Sequence, residues 1–197
     1  MEQVEQQESA AAMERRAGKR HSAVLLLGKL CGAEPGVCLV HNISANGLMA
    51  RFVVAPHVGD SIEVEVRGLP PVRGTVRWVR GQKAGVQFDS PQPYERIFST
   101  HNEDGTTPRP PRFDVSMAVE VRLGDRKFMA EMCDVSAGGA KLDATAAVEP
   151  GQAGQILMRP SGTAIFGTIC WVKEGRFGFR FVSPLPIATL ADLVVRK

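Results

Sequence analysis

Aromatic residues are scarce in this chain of 197 residues: 6% of the total, with one Tyr and two Trp. Proteins that bind single-stranded nucleic acid stack bases on exposed aromatic rings. Alternation places Trp78 and Trp171 on the interior side of their strands, so that function is not expected. Charge of one sign is lacking too. Twenty-four Lys and Arg against 21 Asp and Glu leave a net charge of +3, too mild for holding duplex nucleic acid by bulk charge. No apolar run approaches the ~18–20 residues that cross a bilayer. Residues 1–14 carry neither Lys nor Arg and no apolar core, and are not expected to be a signal peptide. The four cysteines (Cys31, Cys38, Cys133, Cys170) form no C-x-x-C pair and are too few for a disulfide framework, which points to reduced thiols in a cytoplasmic protein.

Catalytic signatures are missing as well. The chain has no G-x-S-x-G elbow, Walker-type Gly-Lys-Ser, H-E-x-x-H or helix-opening G-x-G-x-x-G. Its four histidines, His21, His41, His57 and His101, have no partner at metal-ligand spacing. Asn42-Ile43-Ser44 fits a glycosylation sequon that a cytoplasmic chain would not use. Neither an enzyme, a metal site nor a cofactor is expected.

What the sequence does contain is a repeat. Asn42-Ile43-Ser44-Ala45-Asn46-Gly47 returns as Asp134-Val135-Ser136-Ala137-Gly138-Gly139, 92 residues later. Gly74-Thr75-Val76-Arg77-Trp78 returns as Gly167-Thr168-Ile169-Cys170-Trp171, 93 residues later. Gly85, Phe88 and Ser90-Pro91 keep that second offset with Gly178, Phe181 and Ser183-Pro184. Two copies of one domain of roughly 90 residues are therefore expected. The boundary lies in the Pro-rich stretch 104–111, read as a linker. The domains then span 15–103 and 112–197, after a Gln-, Glu- and Ala-rich tail over 1–14.

Within each copy the signal is of short strands. Ile62-Glu63-Val64-Glu65-Val66-Arg67 alternates apolar and charged residues, the period of a strand with one face buried. Val24–Leu27, Val37–Val40, Leu48–Val53, Val72–Trp78 and Val86–Phe88 complete the first set. Ser116–Arg122, Phe128–Val135, Ala140–Leu142, Gln155–Met158, Ala164–Val172 and Phe177–Val182 make up the second. Helices are expected at Tyr94–Thr100 and Ile187–Val195. The fold class is all-β with short terminal helices: two tandem six-stranded antiparallel barrels.

Arg16 and Arg20 stand four apart ahead of the first strand, and Asn42-x-Ser44-x-x-Gly47 comes after it. Together these residues resemble the PilZ family, whose signature is R-x-x-x-R followed by [D/N]-x-S-x-x-G. The resemblance runs on through the Gly74–Trp78 and Gly85–Phe88 strands, and again through the second copy. It implies a six-stranded barrel with a C-terminal helix and a non-catalytic bacterial receptor for cyclic di-GMP. The implied site is Arg16, Arg20, Asn42, Ser44 and Gly47. Arg15, immediately before the motif, implies binding of the nucleotide as an intercalated dimer.

The chemistry suits that ligand. Its two phosphodiesters and two guanines offer anionic oxygens and O6/N7 edges, and a guanidinium can bind either in bidentate fashion or stack on the purine. Asn42 and Ser44 can bond a guanine edge, while Gly47 permits a tight turn or a close backbone approach. Taken alone, N-x-S-x-x-G also reads as a plain turn with Gly at positive φ.

The second copy departs from the signature. Asp134, Ser136, Gly139 and Arg112 match, but Pro108 and Thr107 stand where Arg16 and Arg15 do. Arg109 is one residue out of register. Loss of a charged bidentate contact costs about 2–5 kcal/mol, so Arg109, Arg112, Asp134, Ser136 and Gly139 are expected to form a weak or non-binding second site. The second domain is then left for dimerisation or for docking an unidentified protein partner. The competing reading is a pair of barrels that scaffolds a motility or polysaccharide complex without binding nucleotide.

Overall fold

The structure is a computed structural model and describes residues 21–31, 36–101, 104–159 and 162–195. Arg15, Arg16 and Arg20, named above from the sequence, lie outside the described residues, as does the 1–14 tail. The described residues fall into two compact units, each a closed six-stranded barrel. The sequence expectation of two all-β barrels holds.

In the first barrel the strands are β1 (His21–Cys31), β2 (Gly36–Ser44), β3 (Gly47–Phe52), β4 (Ser61–Val66), β5 (Val72–Arg80) and β6 (Lys83–Phe88). Around the barrel they run β1-β2-β3-β6-β5-β4, and β4 closes antiparallel onto β1. The second barrel repeats this order with β7 (Phe113–Leu123), β8 (Arg126–Ser136), β9 (Gly139–Asp143), β10 (Ala153–Met158), β11 (Thr163–Lys173) and β12 (Arg176–Phe181). Closure leaves no long unpaired edge, which a free sheet of this size would have to protect.

Alternation fills each interior. Val40, Phe52, Val64 and Val76 are fully buried in the first barrel, and Phe113, Met132, Ile156 and Phe177 in the second. After β6 the expected helix at Tyr94–Thr100 is a short 3-10 helix over Tyr94–Phe98, which buries Ile97. The second expected helix is an α-helix, α1 (Ile187–Val195). It packs against β7, with Leu190 and Val194 buried.

The change of repeat offset from 92 to 93 has a place in the fold. Both β4–β5 and β10–β11 are hairpins, with Ile62 opposite Gly74 and Gly154 opposite Gly167. Seven residues separate the paired Val64 and Val72, and eight separate the equivalent Ile156 and Ile165, so the extra residue falls at the closed end of the second hairpin and the earlier pairs keep their register.

Two bulges recur in both copies, beside a further register shift between Asp114 and Met117 in β7. In β2 the register to β3 shifts between Val40 and Asn42, and in β5 the register to β6 shifts between Val76 and Trp78. The second barrel has the matching shifts at Met132/Asp134 and Ile169/Trp171. An extra residue in one strand turns the residues after it to the opposite face. Val76 therefore points inward and Trp78 outward. The period-two expectation that both tryptophans lie in strand interiors is corrected: Trp78 and Trp171 are 38% and 39% exposed.

The cysteines are free thiols in very different settings. Cys38 is fully buried in the first barrel, and burial pushes its thiol up to about 12. Cys170 is exposed. At pH 8 a thiol with that pKa is ionised in only about one molecule in ten thousand. A thiol-disulfide reagent is thus expected to label Cys170 in the folded protein, and Cys38 only after denaturant is added. Rapid labelling of Cys38 under native conditions, read by peptide mass spectrometry, would show that the barrel opens.

Candidate functional site

Each N/D-x-S-x-x-G stretch is a two-residue β-hairpin. Ser44 pairs with Gly47 across Ala45-Asn46, and Ser136 pairs with Gly139 across Ala137-Gly138. The serine hydroxyl donates back across the turn, from Ser44 Oγ to the Gly47 carbonyl and from Ser136 Oγ to the Gly139 carbonyl, both at 3.2 Å. This bond uses the serine's one proton and leaves its lone pairs to accept from a further donor.

The glycines are not where the turn reading puts them. Neither Gly47 nor Gly139 has positive φ. Each is glycine because the next strand passes too close for a side chain. A Cβ on Gly47 would collide with the Val86 carbonyl oxygen, and one on Gly139 would lie 2.7 Å from that of Phe179. The close approach that Gly47 permits is thus made by the barrel's own backbone.

The hairpin is also strapped from outside. Gln92 N–H donates to the Ala45 carbonyl at 2.8 Å, and Leu185 N–H to the Ala137 carbonyl at 2.7 Å. These are the residues just beyond the repeated Ser-Pro, which accounts for that landmark: the chain leaving the last strand folds back over the motif turn. In the second barrel that segment leads directly into α1.

Because of the bulges, Asn42 and Ser44 both face outward, while Val40 and Ile43 are buried. Register then places Asn42 in a row that crosses four strands. Asn42 lies opposite Met49, Met49 opposite Gly85, and Gly85 opposite Trp78. The matching row in the second barrel is Asp134, Lys141, Gly178 and Trp171. In each, the indole covers the glycine, whose Cβ position its ring nitrogen would overlap. A large ring shielding a strand glycine is a known stabilising device of sheets. Arg80 stands over the Trp78 ring, 5.9 Å from its centroid.

Beside this row, Gly47 lies opposite Gln87, and Arg77 Nε donates to Gln87 Oε1 at 2.8 Å. The sequence reading missed Met49, Arg77, Gln87 and Lys141. The repeat offset alone pairs Met49 with Lys141, but only the register puts them next to the motif.

Electrostatically the two sites differ. In the second barrel Asp134 is 7% exposed, and both of its carboxylate oxygens are taken. Arg112 Nη1 lies 2.5 Å from Oδ1 and Lys141 Nζ lies 2.8 Å from Oδ2. The structure thus joins Arg112, Asp134, Ser136 and Gly139 in one place, whereas Arg109 is exposed and Pro108, at the first-arginine position, is buried. In the first barrel the same row is neutral: Asn42 opposite Met49. Among the described residues no cluster of His, Cys, Asp and Glu could hold a metal ion. No described helix is long and apolar enough to cross a membrane.

A closed barrel whose outer face presents a serine-pinned hairpin, made twice in one chain, defines a class of small duplicated β-barrel modules. The PilZ domain sequence model matches residues 14–98 and 107–196, and the chain belongs to that family. No curated protein matches significantly. Among solved structures, the chain is similar to the Borreliella burgdorferi PlzA protein in complex with c-di-GMP, at 12% identity and a TM-score of 0.40 over 97% of this chain and 99% of that one. It is also similar to the Bacillus subtilis inhibitor of motility, at 13% identity and a TM-score of 0.36 over 87% and 94%. A third is YcgR from Escherichia coli in complex with c-di-GMP, at 18% identity and a TM-score of 0.34 over 87% and 81%.

The hairpin glycines give a direct test. Gly139→Ala is expected to destabilise the barrel by about 1–3 kcal/mol, as overpacking against backbone does. Its neighbour Gly138 has open space around a Cβ, and Gly138→Ala is expected to stay within about 0.5 kcal/mol of the parent. Equal urea midpoints for the two variants would show that strand approach does not dictate the motif glycine.

Proposed function

We propose that this protein is a non-catalytic effector that binds cyclic di-GMP on its first barrel and signals to a protein partner. The observation that carries the reading is the hairpin of an established PilZ domain, which turns Asn42 and Ser44 outward beside Gly47. Arg16 and Arg20 supply the guanidinium groups that capture the ligand's phosphates and purine edges. Arg15 adds a third, suited to a stacked pair of nucleotides. The neutral row at Asn42 and Met49 leaves the barrel surface free to take a base without breaking an ion pair. The protein works in the cytoplasm, where the messenger is.

The second barrel is a weak or non-binding copy that serves docking. Its site lacks the first arginine, and Asp134 is already satisfied by Arg112 and Lys141. A relay from the first barrel uses the strap at Ala45: a ligand held between Arg16, Arg20 and the hairpin also fixes the Gln92 segment that leaves the barrel. A partner then meets a different surface.

Isothermal titration of the full chain with cyclic di-GMP tests this, with a single-stranded oligonucleotide as the comparison because Trp78 is partly exposed. Arg16→Ala and Arg20→Ala are each expected to abolish or cripple nucleotide binding and leave the barrels folded. Ser44→Ala is expected to weaken it less, because a neutral hydrogen bond contributes about 0.5–1.5 kcal/mol and a charged one more. Binding by either arginine variant within about twofold of the parent (roughly 0.4 kcal/mol) would overturn the assignment, as would tighter binding of the oligonucleotide.

A further inference from the structure

We infer that the residue opposite the first motif position, Met49 in one barrel and Lys141 in the other, is a second determinant, beside the first arginine, of which barrel can take the nucleotide. This rests on the proposed cyclic di-GMP site and names a specificity determinant outside the signature. The motif's Asn or Asp serves a guanine by accepting its N–H donors. For a carboxylate that capacity resides in two oxygens.

In the second barrel both oxygens are occupied from within the domain. Arg112 holds Oδ1 at 2.5 Å and Lys141 holds Oδ2 at 2.8 Å. The Asp134 side chain is 9% exposed and Lys141's is 33%, so the lysine contact is largely sheltered from water. Each oxygen keeps a further lone pair, but with the Asp134 side chain 9% exposed a base can reach it only by moving Lys141, and stranding one member of such a charged pair is costly. Lys141 therefore acts as a built-in competitor for the base.

The first barrel has the same backbone with the competitor removed. Register sets Asn42 directly opposite Met49 as it sets Asp134 opposite Lys141. Directly opposed side chains on one face of an antiparallel pair lie within contact range. Met49 has no donor, and Asn42 has no formal charge to attract one. No described residue hydrogen-bonds the Asn42 side chain. Both positions differ together between the copies, Asn with Met and Asp with Lys, which is the pattern an ion pair requires.

The test moves the lock into the barrel that carries the arginine arm. In the full chain, cyclic di-GMP affinity is measured for Asn42→Asp, Met49→Lys and the double variant, with thermal melting to confirm folding. Met49→Lys alone is expected to bind within about threefold of the parent, since it meets no carboxylate, while Asn42→Asp, a change inside the proposed site, sets the reference affinity for a carboxylate at that position. The double variant is expected to lose tenfold or more, a non-additive effect. Additive behaviour, or tighter binding from a lysine that reaches the ligand phosphates, would overturn the inference. So would an equal loss in Met49→Lys alone, which would mark steric obstruction rather than carboxylate capture. If the parent chain binds no cyclic di-GMP, the proposed function fails and this inference fails with it.

Discussion

The outer face of each barrel depends on a pair of β-bulges. Strict alternation from Val40 would send Asn42 into the core, and from Val76 would send Trp78 there. One extra residue in β2 and one in β5 reverse both. The two ends of the row that crosses the barrel, the motif residue and the tryptophan, are therefore products of the same local defect. Removing either bulge would place a polar amide or a large indole in an interior already filled by side chains such as Phe52 and Val64, at the cost of an unsatisfied group or an overpacked core. That both copies keep both bulges makes the backbone, rather than any single side chain, the shared property of the two sites.

Upon that common backbone the copies differ by charge. The first barrel keeps a neutral row, and an arginine-rich segment precedes it in sequence. The second replaces Asn by Asp, Met by Lys, and the leading arginine by Pro108. Barrel two spends its charges on itself, whereas barrel one leaves its polar motif residue unclaimed among the described residues. The glycines that let β3 approach β6 and β9 approach β12 are common to both, as are the straps at Ala45 and Ala137. Duplication has preserved everything that holds the hairpin and changed what the hairpin offers to a ligand.

Most of the architecture was legible in the residues. The strand pattern of Ile62–Arg67, the repeat at offsets of 92 and 93 and the apolar stripe of Ile187–Val195 led to the strands, the duplication and the helix. The one-residue change of offset proved to be an extra residue at the closed end of the second hairpin that leaves the register of the earlier pairs intact. The tryptophans were misplaced because a bulge is invisible to a period-two reading: nothing in Val76-Arg77-Trp78 distinguishes a continuous strand from a bulged one. The positive-φ turn reading of the hairpin glycines fails, because a glycine needed for close strand approach has the same letter as one needed for positive φ. Met49 and Lys141 escaped notice since their importance comes from pairing across strands, which only the register supplies. Arg15, Arg16 and Arg20 were legible as a motif and lie outside the described residues, so their part in the site rests on sequence.

The tryptophan lying on its glycine has an optical consequence. The chain has two tryptophans, one per barrel, and each occupies the end of the row that begins at that barrel's motif residue. An indole that is part-exposed and held against a sheet emits according to what covers its free face. Each half of the molecule thus carries a single tryptophan a few strands from its own hairpin. The cation near Trp78 makes the two environments unequal from the start. A change at either outer face can be followed without a label, and the two halves can be told apart by replacing one ring at a time.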